Sequence, residues 1–203
     1  MKYLIFILLL CLIGCNKAKV EFDDALNTER SEAKKIPYKE FLSLINKKTP
    51  KEKEDYFFKF INYDIPNYWI GTPWSFNGTS REPHHGSIAC GYFVTNILSD
   101  YNFDINRTYL AQQASSVMIK KLCKDIKYFN NRSDLEKYIL SKKKKQVYIV
   151  GLDFHTGFIT RENKDNYFIH SSYIKNKGVV KELTTTSHAL NASKTFMIGA
   201  LKY

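Results

Sequence analysis

"QVYIVGLDFHTGFITRENKDNYFIHSSY", residues 146–173, is the stretch whose reading decides the fold. It divides into three short runs rich in β-branched and aromatic residues, "QVYIVGLDF", "HTGFITRE" and "NYFIHSSY", the last two joined by the turn "ENKDN". Such residues suit a pleated, partly buried surface, and the Gly, Asn, Lys and Asp between them are turn signals, so each run is expected to be a strand. Two further runs, "VVKELTTT" and "TFMIGALKY", carry the pattern to the C-terminus. His155 opens one of these strands and His170 closes the next. Paired neighbouring strands lie only about 4.8 Å apart, which brings two such imidazoles within reach of one another.

Upstream the period changes to that of helices. "PYKEFLSLINKK" places Phe41, Leu44 and Ile45 at helical spacing, and "TPKEKEDYFFKFI" begins with Thr49, Pro50 and Glu52 in the positions of a capping box with proline in the first turn. From Cys90, the residues Val94, Ile97, Leu98 and Tyr101 form one apolar stripe. A further helix is expected from about Thr108 to Cys123, and "SDLEKYILS" offers Ser133 and Glu136 as a second capping box. Helices followed by consecutive strands argue for an α+β domain on an antiparallel sheet, spanning residues 37–203 without repeats or a second domain.

The N-terminus has another character. "MKYLIFILLLCLIGC" joins a positive start at Lys2 to an apolar run too short to remain as a membrane span, so residues 1–14 read as an export signal. Its ending "LIGC" resembles the lipobox of bacterial lipoproteins, which implies cleavage before Cys15 and acylation of that cysteine. The polar residues 15–36 are then a flexible tether from a membrane of the bacterial cell envelope, facing the periplasm or exterior. The 203-residue chain is 44% hydrophobic and 25% charged, which suits an ordinary folded domain. Its net charge of +11 suits anionic wall polymer or phospholipid headgroups. The basic residues are scattered, so nucleic acid is not expected as a partner, and the run Lys142–Lys145 reads as a solvated turn. The domain is expected to act as a monomer.

Export leaves two thiols, Cys90 and Cys123. Sequence alone permits a disulfide between them, but Cys123 in "VMIKKLCKDI" reads better as an inert core thiol. Cys90 opens a helix, where the helix N-terminus favours a thiolate and free N–H groups can hold an oxyanion, with Ser87 as a candidate cap.

The order "GTPWSFNGTS", "IACGYFV", "HTGFI", "FIHSS", over residues 68–173, resembles the NlpC-type (NlpC/p-sixty) cell-wall peptidases, papain-like cysteine hydrolases that cut peptidoglycan stem peptides. The resemblance implies a papain-like fold with Cys90 as nucleophile, His155 as general base and His170 orienting it. A substrate cleft is expected to be formed with Trp74, Phe76, Ala89 and Gly91, and no cofactor is expected. Ala89 and Gly91 stand where the family usually has Asp and Ser, which help bind a free amine, so the specificity for a terminal amine is open. Two rival readings remain. One is a catalytically decayed wall-binding or partner-binding lipoprotein, and the other a papain-like acyl hydrolase or transferase acting on lipid or ester substrates. His84 and His85 match no compact metal-ligand spacing, so no metal is expected and they line the cleft at most. His188 reads as an exposed loop residue.

Overall fold

The computed structural model describes residues 36–202, and the expectations for the export segment, Cys15 and nearly all of the tether lie outside them. From Tyr38 onward the chain forms one compact unit. Helix α1 (Tyr38–Asn46) is followed by α2 (Pro50–Lys59), whose first turn carries the expected capping box: Thr49 accepts from the Glu52 backbone N–H, and the Glu52 side chain accepts from the Thr49 backbone N–H. The chain then widens into a π-helical turn, Phe60–Asp64, before α3 (Ile65–Trp69). The reason lies in Pro66, which has no N–H for the carbonyl four residues back and whose ring would crowd it. That carbonyl, of Asn62, accepts from Lys181 Nζ instead, at 2.8 Å.

Helix α4 (Cys90–Asp100) buries Val94, Ile97, Leu98 and Tyr101 as the stripe requires. The helix expected from Thr108 to Cys123 is instead two, α5 (Arg107–Ala111), capped by Asn106, and α6 (Ser115–Leu122). Cys123 opens a strand, β1 (Cys123–Phe129), that the periodicity did not suggest. It is an edge strand carrying Lys124, Asp125 and Lys127, with a register shift at the left-handed Asp125, so it lacks the apolar alternation that marks a buried strand. Helix α7 (Arg132–Leu140) is capped two residues earlier than expected. Asn131 accepts from the Asp134 N–H, while Glu136 pairs with Arg132 at 3.3 Å.

The remaining strands are β2 (Val147–Leu152), β3 (Thr156–Glu162), β4 (Asp165–Ser172), β5 (Gly178–Leu183) and β6 (Phe196–Leu201), with a short helix α8 (His188–Ala192) before the last. Together with β1 they form a six-stranded sheet in the order β1-β6-β2-β3-β4-β5, antiparallel at every pairing. The domain is therefore α+β. One face packs Ile149, Phe158 and Ile169 against the helices through α6. The other packs Tyr148, Val150, Ile159 and Phe168 against α7 and α8, which is why β2 is buried along its whole length. Among the described residues no helix is long and apolar enough to cross a membrane.

Candidate active site

The loop before α4 is fastened at several points, and each fixes where Cys90 arrives. Gly71 N–H donates to Val179 O and Val179 N–H to Thr72 O, both at 2.9 Å, so the loop extends the β5 edge. This approach is possible because Gly178 has φ +70° and no Cβ, which would stand 2.1 Å from Thr72 O. Ala89 N–H donates to Gly78 O, and the buried Ser171 hydroxyl of β4 donates to Ile88 O at 2.6 Å. Arg107 of α5 clasps the outer turn, donating to Thr79 O and Ser80 O.

Ser87 is not the cap of α4, because its hydroxyl is paired with Ser75 at 2.7 Å. Ala89 occupies the N-cap and offers no side-chain acceptor. The backbone N–H groups of Cys90 and Gly91 at the start of α4, with Thr156 N–H from β3, instead act on the Cys90 sulfur and lower its pKa. Burial nevertheless outweighs them and pushes the Cys90 thiol up, contrary to the lowered value expected at a helix start.

The histidines meet through strand register. Phe158 pairs with Ile169, and continuing that antiparallel register sets Gly157 opposite His170, with His155 diagonal to it beyond the end of β3. A Cβ on Gly157 would lie 2.7 Å from His170 Cβ and 2.6 Å from the Phe168 ring, so only glycine leaves the imidazole its place. His155 Nε2 and His170 Nδ1 are 2.6 Å apart, a full hydrogen bond. Phe168 stacks on His170 with centroids 4.0 Å apart, and Tyr173 meets His155 edge-on at 5.2 Å. Burial lowers the pKa of both imidazoles, His155 well below its usual value, so the pair is neutral at pH 7.

A residue that the sequence reading missed completes the row. Glu182 of β5 sits opposite Phe168, on the face that carries His170, and its Oε1 lies 3.2 Å from His170 Nε2. Burial raises the Glu182 carboxyl, but hydrogen bonds from His170 and Ser187 outweigh it and hold the pKa below the usual range. "VVKELTTT" has nothing to single this glutamate out, because its role depends on the register of β5 against β4.

Two cavities, of about 850 and about 740 Å³, meet at Cys90, Gly91, Ala111, Phe154 and His155. All four residues expected to form the cleft, Trp74, Phe76, Ala89 and Gly91, line the second. Phe76 and Phe154 stand 82% and 94% exposed at its walls. Gly91 has a packing reason of its own, since a Cβ there would lie 2.5 Å from Ala111 O. Among the described residues neither cavity is lined by Lys, Arg or Glu, and the one carboxylate there, Asp153, accepts from Lys194 N–H and from the N–H and hydroxyl of Thr195. His84 and His85, expected to line the cleft at most, line neither cavity. They are held away on an exposed turn, where His84 N–H donates to Thr72 Oγ1. No cluster of three or more His, Cys, Asp or Glu arranged for a metal occurs among the described residues. Cys123 and Cys90 are both free thiols, and Cys123 is buried beneath α6. Comparisons with known protein families, curated proteins and solved structures yield no match to this chain.

Proposed function

We propose that this protein is a papain-like cysteine hydrolase of the NlpC type, held at a bacterial membrane through Cys15, that cleaves peptide amide bonds in peptidoglycan. The observation that carries the reading is the 2.6 Å bond between His155 and His170 beside a Cys90 sulfur that faces three backbone N–H groups. A nucleophile, a base and a group orienting that base are the parts such catalysis needs.

The chemistry follows from the neutral resting pair. As Cys90 Sγ attacks the substrate carbonyl carbon, its proton passes to His155, and the N–H groups at the start of α4 hold the oxyanion. The C–N bond breaks as His155 returns that proton to the leaving amine, which leaves a thioester on Cys90. Water then adds with proton transfer to His155, and the C–S bond breaks to release the carboxylic acid and restore the thiol.

Two cavities that meet at the nucleophile leave room for substrate on both the acyl and the leaving-group sides, as an internal bond requires. Without a free carboxylate or cation in the lining, the cleft suits a bond flanked by uncharged groups rather than a terminal amine. The aromatic wall of Trp74, Phe76, Tyr92 and Tyr173 favours a second reading, hydrolysis of an acyl ester at the membrane. Mass spectrometry of peptidoglycan digested with the purified protein is expected to show new stem-peptide ends that Cys90→Ala does not produce. Cleavage that survives Cys90→Ala sinks the assignment, and turnover of acyl esters alone transfers it to the second reading.

A further inference from the structure

Glu182 is the far end of a hydrogen-bonded row, Glu182, His170, His155, and the donors and acceptors along that row are fixed by chemistry. We propose that Glu182 is a positioning residue that sets the tautomers of both histidines and so leaves His155 Nδ1 bare toward the cleft. The proposal deepens the hydrolase reading and rests on it for the role of His155.

The row can be followed atom by atom. An ionised carboxylate has no proton to give, so Glu182 Oε1 accepts and His170 Nε2, 3.2 Å away, carries the hydrogen. His170 is fully buried and neutral, and a neutral imidazole has one N–H, so its Nδ1 holds a lone pair. At 2.6 Å, His155 Nε2 must then be the donor in the bond to it. Having spent its one N–H, neutral His155 presents an unprotonated Nδ1, the only form that can take a proton from Cys90. The opposite assignment protonates His170 Nδ1, turns the lone pair of His170 Nε2 onto the carboxylate, and leaves Nδ1 of His155 protonated and useless as a base.

The surroundings hold the carboxylate in this role. Ser187 is the N-cap of α8: its oxygen accepts from Leu190 N–H at 3.3 Å, which frees its hydroxyl hydrogen for Glu182. Glu182 keeps 19% side-chain exposure whereas His170 has none, so the carboxylate stays near solvent while the imidazole it orients is dry. Lys177 is the cation that acts on the carboxylate.

Two variants separate the acceptor from the charge. Glu182→Leu removes the acceptor. Glu182→Gln keeps an acceptor oxygen for His170 while its amide can donate to Ser187, whose hydroxyl turns. Nitrogen-15 NMR of the imidazoles in the full chain at pH 7 is expected to find wild-type His155 protonated at Nε2 and bare at Nδ1. Glu182→Gln should keep that pattern and Glu182→Leu should lose it. In hydrolysis, Glu182→Leu is expected to lower kcat on the order of 10- to 100-fold with little change in KM, as removal of a partner that orients a working imidazole does. Glu182→Gln should stay within a few-fold of wild type.

A wild-type His155 protonated at Nδ1 overturns the proposal even if Glu182→Leu fails to fold, as does a Gln variant as impaired as the Leu one. The NMR result is independent of turnover. If the protein cleaves no wall peptide or ester, the hydrolase reading fails while the tautomer assignment is still decided.

Discussion

The N-terminal end of α4 and the C-terminal end of α6 each present a free cysteine, and the two could hardly differ more in what surrounds them. Cys90 is half-buried between two cavities, with three N–H groups facing its sulfur and an ordered pair of imidazoles beside it. Cys123 is 2% exposed, and burial pushes its thiol up to about 12. Each needs a glycine close by: a Cβ on Gly91 would strike Ala111 O at 2.5 Å, and one on Gly199 would strike Cys123 Cβ at 2.4 Å. Burial raises both thiols, so the contrast is not one of acidity alone. What separates them is access to the two cavities and the bonded imidazoles beside Cys90.

The sharpest break in that comparison is deletion of each sulfur. Cys90→Ala is expected to lower kcat/KM for wall peptides by on the order of 10⁴-fold or more, as removal of a nucleophile does. Cys123→Ala should leave kcat/KM within about twofold and cost only about 1 kcal/mol of stability in denaturant unfolding. Equal losses of activity from the two would erase the distinction.

Labelling sharpens it next. The Cys123 thiol, pushed up to about 12, carries almost no thiolate at neutral pH and is buried, so iodoacetamide should modify the more accessible Cys90 in the folded protein and spare Cys123. Because burial raises Cys90 as well, its labelling rate should still be climbing as pH passes 9. A rate already flat at pH 7 would replace the neutral pair with a thiolate and imidazolium.

The glycines offer a smaller effect. Gly91→Ser, which introduces the residue usual in the NlpC-type peptidases, is expected to cost about 2 kcal/mol through overpacking and to reduce activity, because it displaces α5 from Cys90. Gly199→Ala should destabilise by a similar amount yet leave kcat/KM of the folded protein unchanged. Chemical denaturation with parallel kinetics distinguishes the two.

The smallest effect is acid sensitivity. His155 and His170 have folded-state values below the unfolded value of 6.5, so the unfolded chain binds protons first as pH falls. Their contribution to stability is therefore intact above about 6.5 and declines below it. His155→Gln should flatten the fall in melting temperature between pH 6.5 and 5, whereas Cys123→Ala should not alter its slope.

Much of this was legible in the chain. The five strands of the C-terminal half, the Thr49 capping box and the buried stripe of α4 lie where local pattern puts them, since period and cap chemistry act over a few residues. Cys90, His155 and His170 were legible as candidates, and the structure brings the two histidines into contact with each other and beside Cys90. Strand β1 was not, because an exposed edge strand with charged residues has no apolar period. Ser87 and Ser133 look like caps and are not, because neighbouring Ala89 and Asn131 occupy those positions once the chain turns. His84 and His85 sit close to Cys90 in sequence but outside its cleft, because the loop folds back at Thr72.

By itself the sequence determined the kinds of element and their order, since helical and strand periods, Pro50, Thr49 and the turn residues are local physics. It also determined that one half-apolar helix begins with a cysteine. Only the tertiary structure decided which polar groups meet. The offset between β3 and β4 brings His155 to His170 across Gly157, and the offset between β4 and β5 adds Glu182. The physical reason is that strand register is fixed by packing on both faces of the sheet, where a slip of one residue would turn every side chain in that row to the opposite face.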